Sequence, residues 1–428
     1  MLKKLEYTSV IGSIALIGAD RIDLLGGHGF FRLTPFLLFA PLVVLIQIFL
    51  RGLSGTFEFT IQPPIRRQLP FLAVFSLFLV FSFVSTIFGV NPERGIVALA
   101  DLVLVSVLGY CISVRILADP APQQLVLRCI TFALILWLIF CLGECIAWGQ
   151  GLFRLEEEPS SSIESIFAPT ATLLGVLPRL SGFSLDSNRA AFVLVMYLAL
   201  LDRFSETNRY SRFFRFAIGV FVLLTFSRSG ILCWFAYYFF SRSLLKHLMT
   251  RRMVLRVATL AIVCSSVAVI YRKEIGNLFE LWQVSDIVSE RLSGEQGTSG
   301  GNHIELIQRG LETWASSTRT VFAGIGFAGA PRVLGDFFGD SKYGNFHSLY
   351  VTVLAELGLP AFLLLLILFL YPVVARSGAG SFIAAIALFN LFLQSHMEPI
   401  FWVALAIVWS FEGKNRKDEE SHRRPLAS

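Results

Sequence analysis

Four side chains in this sequence are unusual for their surroundings. Arg179 opens RLSGFSLDSNRAAF, Arg228 lies in TFSRSGILCWF between two apolar runs, Arg309 lies in LIQRGLETW, and His347 begins HSLYVTVLAELGLPAFLLLL. A guanidinium grips phosphate through a planar fork and stays charged at any relevant pH, so three of them suit a polyanion. A pyrophosphate on a lipid carrier fits, its tail in a bilayer and its sugar in water. A neutral imidazole, with an ordinary pKa of about 6.5, accepts a hydroxyl proton at neutral pH and so suits a general base. The plainer readings are that Arg228 snorkels at a membrane interface and that His347 caps a helix. The arginines come without a cluster of Asp or Glu, which points to phosphate neutralisation without a metal. No cofactor is implied.

The elements that must position these groups are membrane spans. Hydrophobic residues make up 55% of the 428 positions and charged residues 15%, with 41 Phe and a mean hydropathy of +0.68. The apolar residues lie in blocks that match the thickness of a bilayer. The expected architecture is an all-α polytopic membrane protein of about twelve helices. The spans are 7–19, 34–50, 71–90, 96–114, 126–148, 190–201, 216–227, 230–245, 257–271, 348–371, 379–393 and 400–412. The start, MLKK, leads into a first span without a small-residue cleavage site, so no cleavable signal is expected.

Twelve spans put both termini on one side. That side collects the basic clusters: Lys3 and Lys4, Arg66 and Arg67, Arg203 to Arg215, Arg242 to Arg256, Arg376 and the tail GKNRKDEESHRR. By the positive-inside rule it is cytoplasmic, and the four candidate residues then face the periplasm. The net charge of +6 follows from this bias and does not call for nucleic acid. All six cysteines (111, 129, 141, 145, 233 and 264) fall in spans and none in the outward loops, which excludes a disulfide framework there. Cys141 and Cys145 share a helix face near Glu144 and read as buried thiols rather than metal ligands.

The chain reads as one membrane domain, 1–428, with a long periplasmic loop at 272–347 and a cytoplasmic tail at 413–428. A first outward insertion covers 149–189. The long loop has an amphipathic stretch at 275–291, a flexible SGEQGTSGGN break and a helical HIELIQRGLETWASS. Its aromatic and apolar content argues against disorder and for a lid over the membrane surface. GIGFAG at 324–329 has GxGxxG spacing, but no strand precedes it and no βαβ unit follows, so it reads as a tight turn. His303 and Glu305 in NHIE alternate faces and lack further ligands, so zinc is not expected.

RLSGFSLDSN, FSRSG, RGLETWASSTRTVFAGIGFAG and HSLYVTVLAELGLPA together resemble the O-antigen ligase and O-antigen polymerase superfamily, which includes exopolysaccharide polymerases. The resemblance covers roughly 170–375. His347, Ser348 and Gly358 match the ligase His motif, whereas Ala361 stands where that motif has Gly, Thr or Tyr. Ser187 stands before Asn188 where many relatives have Pro. The resemblance implies a metal-independent, inverting glycosyltransferase of the bacterial inner membrane. Its donor would be an undecaprenyl-pyrophosphate-linked glycan and its acceptor a sugar hydroxyl, on a lipid-linked repeat or on the lipid A core. By the same resemblance Arg179, Arg228 and Arg309 contact the pyrophosphate and His347 activates the acceptor. Glu398 in QSHMEP, near an acidic residue of some relatives, orients the acceptor or an arginine. Ala361 tilts the reading slightly toward polymerase.

Two other classes compete. A transporter of lipid-linked sugar would show internal repeats and broken helices at the midplane; no repeat relates the two halves of this sequence. A non-catalytic assembly partner would not need arginines and a His on one face.

Overall fold

The computed structural model describes residues 1–22, 24, 33–54, 66, 68–152, 167–169, 172–173, 177–205, 209–241, 299–338, 344–376 and 378–412. The ninth expected span (257–271), the amphipathic stretch at 275–291 and the tail at 413–428 lie outside the described residues. Among the described residues the secondary structure is helical, apart from one antiparallel pair of two-residue strands, β1 (Thr172–Leu173) and β2 (Leu177–Pro178). The helices in order are α1 (Leu2–Ala15), α2 (Pro35–Ser54), α3 (Leu69–Ile87), α4 (Pro92–Leu117) and α5 (Pro122–Gly149), then α6 (Ser187–Phe204), α7 (Arg209–Leu224) and α8 (Arg228–Ser241). After them come α9 (Ser299–Ala315), α10 (Thr318–Ala323), α11 (Ala330–Phe338), α12 (Leu349–Ala375), α13 (Ala379–Phe392) and α14 (Pro399–Trp409).

Local sequence explains most of the starts. Pro occupies the first turn of α4, α5 and α14, where its missing N–H costs nothing. Asn91 caps α4, Asp186 caps α6 by accepting from the amides of Asn188 and Arg189, and Ser317 and Thr320 form a capping box on α10. Four helices among the described residues, α3, α4, α5 and α12, are long and apolar enough to cross a membrane. Their outer faces carry exposed Leu77, Val80, Phe83, Ile135, Ile139, Leu142 and Ile146, a surface that water would not tolerate and lipid does. The chain is a multi-pass membrane protein. At its centre α14 and the stretch 190–201 of α6 are buried on every side, as expected of helices apolar all round.

Polar contacts sort the helix ends onto two faces. On one face Arg115 meets Glu6 at 2.7 Å, Gln68 donates to the Ala406 carbonyl at 2.9 Å, and Tyr237 donates to Asp202 at 3.0 Å. The Arg203 guanidinium lies 4.2 Å from the centre of the Phe411 ring there. On the other face the ends of α1, α3, α5, α7 and α13 meet the starts of α4, α6, α8 and α14. We call this second face the mouth.

The expected span 348–371 takes a different form. Gly358 has φ 81 and ψ 178, so α12 breaks there, and Pro360 follows. A straight helix would separate Tyr350 from Phe369 by about 28 Å, yet their rings sit 6.1 Å apart. The Tyr350 hydroxyl also donates to the Ala387 carbonyl at 3.0 Å. The half-helix 349–357 is therefore folded back across the mouth, and Glu356 lies at the fold rather than deeper in the bundle. The carbonyls freed by the break do not go unsatisfied: Ala355 O accepts from Ile325 N, and Glu356 O accepts from Gly326 N, both at 2.9 Å. GIGFAG is the turn that supplies these donors. It also touches α3 so closely that a Cβ on Gly326 would lie 2.6 Å from the Cα of Gly89.

Candidate active site

The RLSGF turn is held by a buried ion pair. Arg21, just past α1, and Glu144, on α5, are both fully enclosed and meet at 2.7 Å. Glu144 also accepts from Ser181 Oγ (2.6 Å), Ser181 N (3.0 Å) and Gly182 N (2.9 Å), and Arg21 donates to Gly182 O at 2.9 Å and to Ala168 O. A buried carboxylate is tolerable because every lone pair has a donor. Cys141 is buried as expected, but Cys145 is exposed on the outer face of α5, which corrects the reading of both as buried thiols.

The turn delivers Arg179 to the start of α6. Its Nε donates to Thr225 O and its Nη2 to Asn188 Oδ1, each at 3.2 Å. Asn188 Oδ1 also accepts from Ser227 Oγ at 2.8 Å, and Ser227 Oγ accepts from Gly230 N at 3.0 Å, capping α8. Arg228 is the first residue of that helix. It is exposed and has no hydrogen bond or ion pair among the described residues. A cation at a helix N-terminus opposes the macrodipole, so its place there is not explained by stability.

His347 has φ 54, a conformation that non-glycine residues rarely adopt. Ser348, not His347, occupies the N-cap position of α12, which weighs against the plain capping reading. Around it Asn345 Oδ1 accepts from His347 N at 2.8 Å and Leu349 N donates to Leu393 O at 3.1 Å, while Gln394 donates to Thr352. These bonds place His347 beside the turn between α13 and α14. Arg309 arrives from the other side: Gly310 on α9 packs so closely on Phe346 and Val351 that a Cβ has no room. Arg309 itself pairs with Glu312 at 2.6 Å, so a phosphate there would compete with a carboxylate.

Glu398 sits at the N-cap of α14, buried, with Oε1 3.3 Å from Arg189 Nε. Arg189 also reaches Asp20 at 2.7 Å and Asp186 at 3.3 Å. The expectation of no acidic cluster is thus corrected: three carboxylates converge, but on a guanidinium. Among the described residues no group of His, Cys, Asp and Glu is arranged to hold a metal. Burial pushes the Glu398 carboxyl up, aided by Asp20 and Asp186 and opposed by Arg189. His396, two residues earlier, is buried edge-on to Phe327, and burial lowers its pKa to about 4, so it is neutral at neutral pH.

Arg179, Arg228 and Glu398 stand at helix starts on the mouth, where Arg179 bonds Asn188 and Glu398 pairs with Arg189. His347 lies beside the 390–398 segment, and Arg309 is on α9, whose Gly310 packs on Phe346. Arg189, Asp20 and Asp186 escaped the sequence reading, which met Asn188 only as a motif position. Arg189 and Asn188 stand inside the quoted SNRAAF, but Asp20 is 169 residues from Arg189, and nothing local announces the pair. No curated protein matches the chain. Residues 213–366, which contain Arg228, Arg309 and His347, match the family model described as O-antigen ligase, in keeping with the superfamily that the motifs resemble.

Proposed function

We propose that the chain transfers a glycan from undecaprenyl pyrophosphate to a sugar hydroxyl on the periplasmic face of the inner membrane, in O-antigen or exopolysaccharide assembly. The observation that carries this reading is the gathering of Arg179, Arg228, Arg309 and His347 at one mouth of an apolar bundle, Arg228 standing exposed at a helix start. His347 takes the proton from the acceptor hydroxyl, whose oxygen attacks the anomeric carbon. The bond from that carbon to the pyrophosphate oxygen breaks with inversion, and the arginines hold the charge of the departing lipid pyrophosphate. No metal is needed where guanidinium groups neutralise the phosphates. The acceptor is a second lipid-linked repeat, making the protein a polymerase, in slight preference to the lipid A core.

The topology accords with twelve spans and both termini in the cytoplasm. α8 ends on the face of the termini and α9 lies at the mouth; the expected span at 257–271 lies outside the described residues.

One observation favours the transporter reading, since α12 is broken as transporter helices often are. The carbonyls at this break are occupied by the 324–326 turn, which leaves them no role in coordinating a transported solute.

The test uses purified protein, a synthetic undecaprenyl-pyrophosphate glycan and both acceptor classes, with EDTA present. Wild type should form a longer lipid-linked glycan or a glycosylated core, and His347→Ala should form neither while accumulating normally in membranes. Transfer by the Ala variant would remove the general base, and activity that EDTA abolishes and Mg²⁺ restores would refute metal independence.

A further inference from the structure

Two hydrophobic cores meet on the half-helix 349–357. Leu349, Val353 and Leu357 belong to the core of the bundle, while Val351, Leu354 and Ala355 join Leu306, Trp314, Val321 and Leu334 in a second core. The second core holds α9, α10 and α11 together with the segment that carries His347. Covalently, this half-helix joins the rest of α12 only through Gly358, whose positive φ no ordinary side chain adopts cheaply and whose Cβ position is filled by the Phe322 carbonyl. Bonds from Leu349 N to Leu393 O, from Gln394 to Thr352 and from the Tyr350 hydroxyl to Ala387 O hold the first turn of this half-helix on the bundle; its other end, at the fold, needs directional contacts of its own.

Glu356 has the necessary contacts. Its carboxylate accepts from Ala328 N at 2.9 Å and from Ala330 N, the first residue of α11, at 3.0 Å. Its main-chain oxygen accepts from Gly326 N at 2.9 Å and from Ser85 Oγ, at the end of α3, at 2.6 Å. One buried residue therefore ties four things together: the half-helix, the 324–330 turn, the start of α11 and the bundle wall. Arg179 and Arg228 are at the starts of bundle helices, and His347 directly precedes the half-helix.

We propose that Glu356 is a positioning residue, clamping the half-helix that carries His347 to the 324–330 turn and to α3 so that the base is held in register with the arginines of the bundle. This rests on the transfer reaction proposed above. Glu356 touches no reacting group; it acts through the angle of the half-helix.

A Gln side chain fills the same space but presents an NH₂ to one of the two amides, so Glu356→Gln keeps one side-chain acceptor and Glu356→Ala neither, while both keep the main-chain oxygen. Loss of one of these hydrogen bonds should lower kcat by about two- to tenfold if it is felt in the transition state. KM for the donor should change far less, because Arg179 and Arg228 stay where they are. Ser85→Ala removes only the bond from α3 and should move kcat in the same direction by a smaller factor, in a variant with little reason to misfold. Backbone hydrogen exchange supplies a readout that does not depend on turnover. The amides of Gly326, Ala328 and Ala330 should lose protection in all three variants, most in Glu356→Ala, while 190–201 keeps its own.

Unchanged exchange at 324–330 in both Glu356→Gln and Ser85→Ala overturns the clamp, whatever the protein catalyses. Faster exchange with unchanged kcat, in an enzyme that His347→Ala inactivates, overturns the positioning role and leaves the transfer reaction standing. A fall confined to the yield of folded protein, with kcat per folded molecule intact, makes Glu356 merely structural and also counts against the proposal. If the wild type transfers no glycan, the exchange arm still decides whether the clamp exists.

Discussion

Replacement of Arg228 separates stability from function more cleanly than any other change at the mouth. The side chain is exposed, makes no hydrogen bond or ion pair among the described residues, and opens α8 with its charge against the positive end of the helix dipole. Relief of that repulsion is worth about 0.3–1 kcal/mol at an exposed position. Arg228→Ala should therefore leave the unfolding temperature unchanged or slightly raised. Function should move the other way. A guanidinium offers a phosphate two parallel hydrogen bonds, and Lys offers a point charge without the fork. One lost charge-assisted bond costs about 1.5–3 kcal/mol, or about a ten- to hundredfold loss of rate if it acts in the transition state. Arg228→Lys should fall in that range and Arg228→Ala below it. The assay is the rate of transfer from a synthetic undecaprenyl-pyrophosphate glycan, alongside thermal unfolding in the same detergent. Full activity in the Lys variant would show that Arg228 only snorkels and would leave the donor to Arg179 and Arg309. A large drop in unfolding temperature for Arg228→Ala would mean that its surroundings have been misread.

Two further outcomes concern the parts that support the site. Glu144→Ala leaves Arg21 charged and buried without its partner, and breaking such a pair costs about 3–5 kcal/mol; chemical unfolding should register this, and a loss below about 1 kcal/mol would refute the enclosed pair. His396 is held neutral by burial, with its pKa lowered from 6.5 to about 4. Because the folded value is depressed, its contribution is fully present above pH 6.5 and is lost as pH falls toward 4. Thermal stability should therefore decline across that window, and His396→Phe, which cannot titrate, should flatten the decline; an identical pH profile in the variant would rule His396 out as its source.

Much of the architecture was legible because it depends on local content. The alternating spans follow from apolar blocks and basic loops, and most helix starts from Pro, Asn, Asp or Ser at the cap. The expected span at 348–371 is among the four candidate spans, but its first part folds back at Gly358 for a definite reason. A run as apolar as LYVTVLAELGLPAFLLLL reads as one helix, and it is the GIGFAG turn and Ser85, donating to the carbonyls exposed at Gly358, that let it fold back. Without those partners the freed carbonyls would stand unpaired in an apolar setting, and a straight helix would be preferred.

The sequence by itself determined the class of protein, the order of its helices and the presence of a His and three arginines suited to phosphate chemistry. Composition, hydrophobic period and charge bias act on each segment where it stands. Tertiary structure decided which charges share a space. Arg21 finds Glu144 across 123 residues, and Arg189 finds Asp20 across 169; the Glu398 carboxylate comes to the same guanidinium from the opposite end of the chain. Such pairs form because a charge enclosed by apolar helices is tolerable only beside its opposite. Which opposite is nearest depends on how the helices pack, and no local pattern in the sequence records it.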